Sequence, residues 1–293
     1  MIVLFCCSLI WAFSYGLIKG NLTTLSPDFV ACMRMLIPLA ISAFFFTRKL
    51  SLSKSLPWIG IGMIQYGLMY LFVIRAYAFL PAHHIVFFTA FTPLYVTLCY
   101  SIQQRSFSAR FWIASLCALL AVCMLYLHAL PSKEALHGFL LVQLSDLCFA
   151  FGQVSYITLR TRYNAYKDNS LYPLLFLGGF FITALITTLS NGWSSLSILS
   201  MKQSFLLIYL GAIASGLCFY LWNKTAVTTS PGILSVMNNS KIPLGIFVSI
   251  FCFHETGDAL SLSFSLILMV LALAIAEFPK LLHCYKLLIK KPN

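Results

Sequence analysis

Four charged side chains stand inside stretches of this 293-residue chain that are otherwise apolar: Arg34, Arg75, Asp146 and Lys241. A charge at the centre of a hydrocarbon layer costs from about 3 to well over 10 kcal/mol, so each must face protein, water or a ligand. Asp146 belongs to a polar stripe, with Gln143, Asp146 and Gln153 at i, i+3 and i+10 and Phe149 beside them, which on a helix would line a cavity. Three chemistries are open to Asp146: an ion pair with Lys241 or Arg34 that holds the chain together, a counter-charge for a cationic ligand, or a proton site. Lys241 follows Asn238 by one turn, and the two could hold a carboxylate; the alternative is that Lys241 neutralises Asp146. Arg34 either fixes helix packing by binding backbone carbonyls or meets the ligand.

The elements that must position these residues are repeated. Tyr70-Leu71, Ala76, Pro81 and Pro93-Leu94 recur 150 residues later as Tyr220-Leu221, Ala226, Pro231 and Pro243-Leu244. At the same offset Phe88-Thr89-Ala90-Phe91 corresponds to Asn238-Asn239-Ser240-Lys241, one wall aromatic and the other polar and cationic. Phe87, Phe88 and Phe91 could stack a flat ring. Pro93 and Pro243 each remove the amide that would bond the carbonyl four residues earlier, those of Thr89 and Asn239, and so predict a hinge in each copy. Freed carbonyls survive in a membrane only against protein or water, which puts Thr89 and Asn239 beside the expected site. Trp11, Tyr15, Tyr66, Tyr70, Phe219 and Trp222 are further candidates to line a path, with core packing as their alternative role.

At 60% hydrophobic and 9% charged, the chain is not an ordinary soluble domain, which carries about 25% charged residues. Apolar stretches near the ~20 residues that span a bilayer fall at 2–19, 28–47, 57–79, 83–102, 110–128, 138–159, 171–190, 204–223, 231–253 and 259–277. The expected architecture is an all-α integral membrane protein of ten transmembrane helices in two five-helix repeats, 1–128 and 138–277, joined by a polar turn at 130–137. Five helices per copy set the second copy upside down, the inverted-repeat plan of alternating-access carriers. Residues 278–293 read as a basic amphipathic tail on the inner leaflet. The net charge of +12 is spread over short loops and forms no nucleic-acid-binding stripe. With both termini cytoplasmic, 13 of the 19 Lys and Arg fall on the cytoplasmic side, as the positive-inside rule requires.

The ten cysteines lie in apolar segments without metal-type spacing, so no metal or other cofactor is expected. No GxxxxGK[ST] run is present, which points to a gradient or exchange as the energy source and not to ATP. No protease-like or metal-like set of His, Cys, Ser and Asp suggests an enzyme.

Trp11-Ala12-Phe13-Ser14-Tyr15 with Lys19 in the first helix, Arg34 in the second, Pro93 and Pro243, and Glu255 after the ninth span together resemble the EamA-type members of the drug/metabolite transporter superfamily. The resemblance covers nearly the whole chain and implies a secondary transporter of a small organic metabolite, placed in the bacterial inner membrane. Gln104-Arg105 depart from it where a glutamate would stand, as do Asn238, Asn239 and Lys241 at positions usually apolar or small. Within the superfamily the chain is most similar to the S-adenosylmethionine transporters of obligate intracellular bacteria. That implies uptake of S-adenosylmethionine in exchange for S-adenosylhomocysteine, with adenine on the phenylalanine wall, the carboxylate at Lys241 and the sulfonium near Asp146. The competing expectation is a proton-coupled exporter of amino acids or amphipathic drugs. The oligomeric state favoured is a monomer.

Overall fold

The computed structural model describes residues 1–46, 51–105, 107, 109–123, 133–163, 166–244, 267, 268 and 271. Among them every regular element is a helix: α1 (Ile2–Asn21), α2 (Pro27–Phe44), α3 (Leu52–Gly62), α4 (Met69–Ala76), α5 (Ala82–Phe88), α6 (Thr92–Gln103), α7 (Ala109–Cys123), α8 (Lys133–Arg162), α9 (Asp168–Leu189), α10 (Met201–Tyr209), α11 (Cys218–Ala226) and α12 (Pro231–Asn239). Three-residue to eight-residue irregular turns join some of these end to end. A π-helical segment, Met63–Leu68, links α3 to α4, and a second, Leu210–Leu217, links α10 to α11. A 3₁₀ turn, Thr89–Phe91, links α5 to α6.

Counted as continuous rods, seven helices among the described residues are long and apolar enough to cross a membrane: Ile2–Asn21, Pro27–Phe44, Leu52–Ala76, His84–Gln103, Lys133–Arg162, Asp168–Leu189 and Met201–Ala226. The expected fifth and ninth spans are described only in part, by α7 and α12. The expected tenth span, apart from residues 267, 268 and 271, and the 278–293 tail lie outside the described residues, as does Glu255.

The sixth span starts earlier than the sequence suggested. The polar turn expected over 130–137 is helical from Lys133 onward. Lys133-Glu134-Ala135-Leu136 are good helix formers, and Glu134 in the first turn meets the positive end of the helix dipole.

The packing relies on close backbone approach. A Cβ on Gly62 would run into the Leu175 carbonyl, and one on Gly178 into the Ile59 carbonyl, so α3 and α9 lie together with no side chain between them at these points. Small residues allow this in membrane helices, where apolar burial does not distinguish a neighbour from lipid. At one end of the bundle Arg75 grips Asp28 with two hydrogen bonds of 2.7 and 3.0 Å, tying α4 to the first turn of α2. Lys19 donates to the Tyr77 and Leu80 carbonyls at 2.7 and 3.2 Å, satisfying acceptors just past the end of α4.

Candidate functional site

A cavity of about 80 Å³ opens among α1, α2, α4, α8, α11, α12 and the break between α5 and α6. That is room for several water molecules at roughly 10–15 Å³ each. Trp11 and Tyr15 line it from α1, Arg34 from α2 and Tyr70 from α4. Asp146 and Phe149 line it from α8, Phe219 from α11, and Thr89, Asn238 and Lys241 complete the part foreseen from sequence.

The polar groups form two clusters. Asp146 is 4% exposed and Asn238 2%, and among the described residues neither the Asp146 Oδ2 nor the Asn238 Nδ2 has a hydrogen-bond partner. Lys241, also buried, reaches only the Asn238 Oδ1 among the described residues, at 3.4 Å. Neither Lys241 nor Arg34 comes within 4.0 Å of the Asp146 carboxylate, so the ion pair considered as an alternative role for Asp146 is not formed. A buried acceptor and a buried donor, both unsatisfied and both on residues that line one cavity, are costly unless water or a ligand completes them. The second cluster is Arg34 with Tyr70 and Ser215. Arg34 binds hydroxyl groups here and not the backbone carbonyls expected for a packing role.

Each position has a local cause. Pro93 leaves the Thr89 carbonyl without its helical donor, and the Thr92 hydroxyl donates to it at 2.6 Å while the chain tightens into the 3₁₀ turn. In the other half α12 stops at Asn239, four residues before Pro243. The Asn239 Nδ2 then donates to the Ala90 carbonyl at 3.0 Å, joining the two broken helices directly. The π segment Leu210–Leu217 widens the helix and presents the Ala214 carbonyl to the Trp11 indole N–H at 2.8 Å. Widened turns of this kind are common at functional sites.

Seven of the expected residues stand elsewhere. Phe88 and Phe91 turn to Phe139, with ring centroids 5.0 and 6.0 Å away, and Phe87 lies against Phe88 at 5.4 Å. None of the three lines the cavity, whose aromatic surface comes instead from Trp11, Tyr15, Tyr70, Tyr77, Phe149 and Phe219. These rings pack on Phe139 and on one another, and that packing turns them from the cavity. Asn239 gives its Nδ2 to Ala90, as above, and is not among the residues that line the cavity. Tyr66, Gln153 and Trp222 belong to a buried polar clamp. Gln65 Nε2 donates to Asn223 Oδ1 at 3.0 Å, and Asn223 Nδ2 donates to the Tyr66 hydroxyl at 2.8 Å and to Gln65 Oε1 at 3.3 Å. Beside it the Trp222 indole donates to Gln153 Oε1 at 2.8 Å.

Sequence reasoning missed Ser14, Thr92, Ser145, Met69 and Tyr77 in the lining, and Ser215 beside it. Tyr77 had a signal, since it follows Tyr70 by two helical turns on one face. Thr92 had one too, next to Pro93 and one turn after Thr89. Among the described residues, no three His, Cys, Asp or Glu side chains converge as a metal site would require.

A helical bundle with a buried polar cavity and helices broken beside it fits a carrier, and comparison with known proteins gives the class. The chain belongs to the EamA-like transporter family, within the drug/metabolite transporter superfamily; the family's sequence model matches residues 1–127. It is therefore a multi-pass membrane transporter of this kind. It is 30% identical over 258 residues to a biotin transporter of Salmonella typhimurium, covering 87% of this chain and 85% of the relative. It is 30% identical over 259 residues to a biotin transporter of Escherichia coli K12, with the same coverage of each. A probable biotin transporter of Pseudomonas aeruginosa is 27% identical over 255 residues, 86% of this chain and 88% of that protein. A solved crystal structure matches 94% of this chain and 96% of its own at a TM-score of 0.71; at 15% identity this likeness speaks for the fold alone.

Proposed function

We propose that the chain is a secondary carrier of the bacterial inner membrane that moves a small, carboxylate-bearing heterocycle through the central cavity by alternating access, with biotin the leading substrate. The observation that carries the reading is a pair of unsatisfied buried atoms on two residues that line that cavity, Asp146 Oδ2 and Asn238 Nδ2. A cyclic urea offers N–H groups to the first and a carbonyl to the second, and biotin ends in such a ring. The names of the relatives support the same substrate.

The architecture proposed with it is ten spans in two inverted repeats, 1–128 and 138–277, with both termini and the 278–293 tail on the cytoplasmic side and a monomer as the working unit. Three features support it: the 150-residue recurrence of sequence, a π segment in the corresponding rod of each half, and a helix break just before Pro93 and just before Pro243.

S-adenosylmethionine exchanged for S-adenosylhomocysteine is the second reading. It is favoured by Asp146, a carboxylate without an ion-pair partner in an aromatic-lined cavity, which would suit a sulfonium. Counterflow in proteoliposomes separates the two. Labelled biotin entering faster into biotin-loaded than into empty vesicles is the expected result, with Asp146→Asn and Lys241→Ala abolishing it in correctly inserted protein. Stimulation of labelled S-adenosylmethionine entry by internal S-adenosylhomocysteine, with no biotin signal, would replace biotin by the second substrate. Silence with both would end the reading.

A further inference from the structure

We propose that Arg34 is the anion-binding residue of the cavity and seats the carboxylate of the transported molecule. The inference rests on the carrier reading above and fixes the orientation of its substrate. Arg34 is 3% exposed and lines the cavity. Its Nε donates to Ser215 Oγ at 3.0 Å and its Nη2 to the Tyr70 hydroxyl at 2.7 Å, and the two hydroxyls stand 2.9 Å apart. Both partners are neutral, so the positive charge has no counter-ion within 4.0 Å among the described residues. A guanidinium carries five N–H donors, and no hydrogen bond from the described residues reaches Nη1.

Arg75 shows what this chain does when an arginine serves structure alone. It takes both oxygens of Asp28, at 2.7 and 3.0 Å. Arg34 is more deeply buried and has no such partner, an arrangement that is unfavourable unless an anion arrives.

The surroundings hold the guanidinium in one plane. The Tyr70 ring lies under it, 4.0 Å from its carbon to the ring centroid. Ser215 is brought to it by the π segment of the second half, and Gly211 lets that segment approach α2, where a Cβ would meet Ile37 at 2.7 Å. A planar fork fixed on one edge and uncommitted on the other is the geometry that receives two carboxylate oxygens. With Arg34 at the carboxylate, Asp146 and Asn238 are left for the heterocycle. This reverses the sequence-based expectation that Lys241 takes the carboxylate, and it balances the cavity's two cations with Asp146 and the ligand.

The test uses thermal stabilisation of the purified full-length protein by four probes: valerate, valeramide, biotin and biotin methyl ester. The expected result is stabilisation by the two acids and, at equal concentration, little by the neutral analogues. Arg34→Gln should weaken apparent acid binding by about ten- to a hundredfold and abolish the acid preference, as loss of a charge-assisted bidentate contact implies. Lys241→Gln should keep the preference, and Arg34→Lys should retain part of it, which separates anion binding from a packing role. An acid preference that survives in Arg34→Gln, or no stabilisation of the unmodified protein by either acid, overturns the inference. If valerate stabilises through Arg34 while biotin neither stabilises nor exchanges, the anion site stands and biotin as the substrate falls.

Discussion

The clamp formed by Gln65, Tyr66 and Asn223 allows a quantitative prediction, because all three side chains are fully buried and their hydrogen bonds join segments 158 residues apart. Gln65 and Asn223 exchange two bonds, at 3.0 and 3.3 Å, and Asn223 makes a third to Tyr66 at 2.8 Å. Interhelical hydrogen bonds inside membranes average about 0.6 kcal/mol and reach about 1.7. Two reciprocal bonds therefore give an expected Gln65–Asn223 coupling of about 1.2 kcal/mol, with an upper value of ~3. Asn223→Ala alone should cost more than the coupling, since it also strands the Tyr66 hydroxyl and both ends of the Gln65 amide. The measurement is a double-mutant cycle with Gln65→Ala, Asn223→Ala and the pair, read by reversible unfolding in mixed micelles. Additivity within about 0.3 kcal/mol would refute the reasoning, because distant independent sites add to that degree and partners in one network do not.

Arg75→Ala should destabilise by about 1–3 kcal/mol, by leaving Asp28 buried without its cation, and Asp28→Asn added to it should recover part of the loss; thermal unfolding checks both. Gly178→Ala, whose Cβ meets the Ile59 carbonyl, should cost about 1–3 kcal/mol, whereas Gly20→Ala, with nothing within 4 Å, should be neutral or slightly stabilising in the same assay. Trp222→Phe should cost about 1–3 kcal/mol, since it strips the Gln153 Oε1 of its donor and the Gln153 Nε2 already lacks an acceptor.

The residues most legible in the sequence were those whose presence in a membrane is expensive. Asp146, Lys241 and Arg34 stood out as charges in apolar stretches, and all three line the cavity. Thr89 was reached through the proline that frees its carbonyl, and the helix does break there. Ser215 was not legible. Serine is common in membrane helices, and its place beside Arg34 depends on a π turn that leaves no mark in the pattern of apolar residues. The three phenylalanines of the fourth helix stand away from the cavity. Their wall was inferred from correspondence with Asn238–Lys241 at the 150-residue offset, and such a correspondence does not report that the rings pack on Phe139 and on one another. Apolar periodicity locates rods well, but it does not report how each rod is wound, and winding decides which side chains meet.

The bond from the Asn239 amide to the Ala90 carbonyl joins the break in one rod to the break in the other. Two joints connected in this way bend independently only by giving up that 3.0 Å contact. The pair acts as a yoke, and as long as the tie holds, a swing at either break drags its counterpart along. Such a linkage disfavours intermediates in which one break has straightened and the other has not, by about the 0.5–1.5 kcal/mol of the bond they lose.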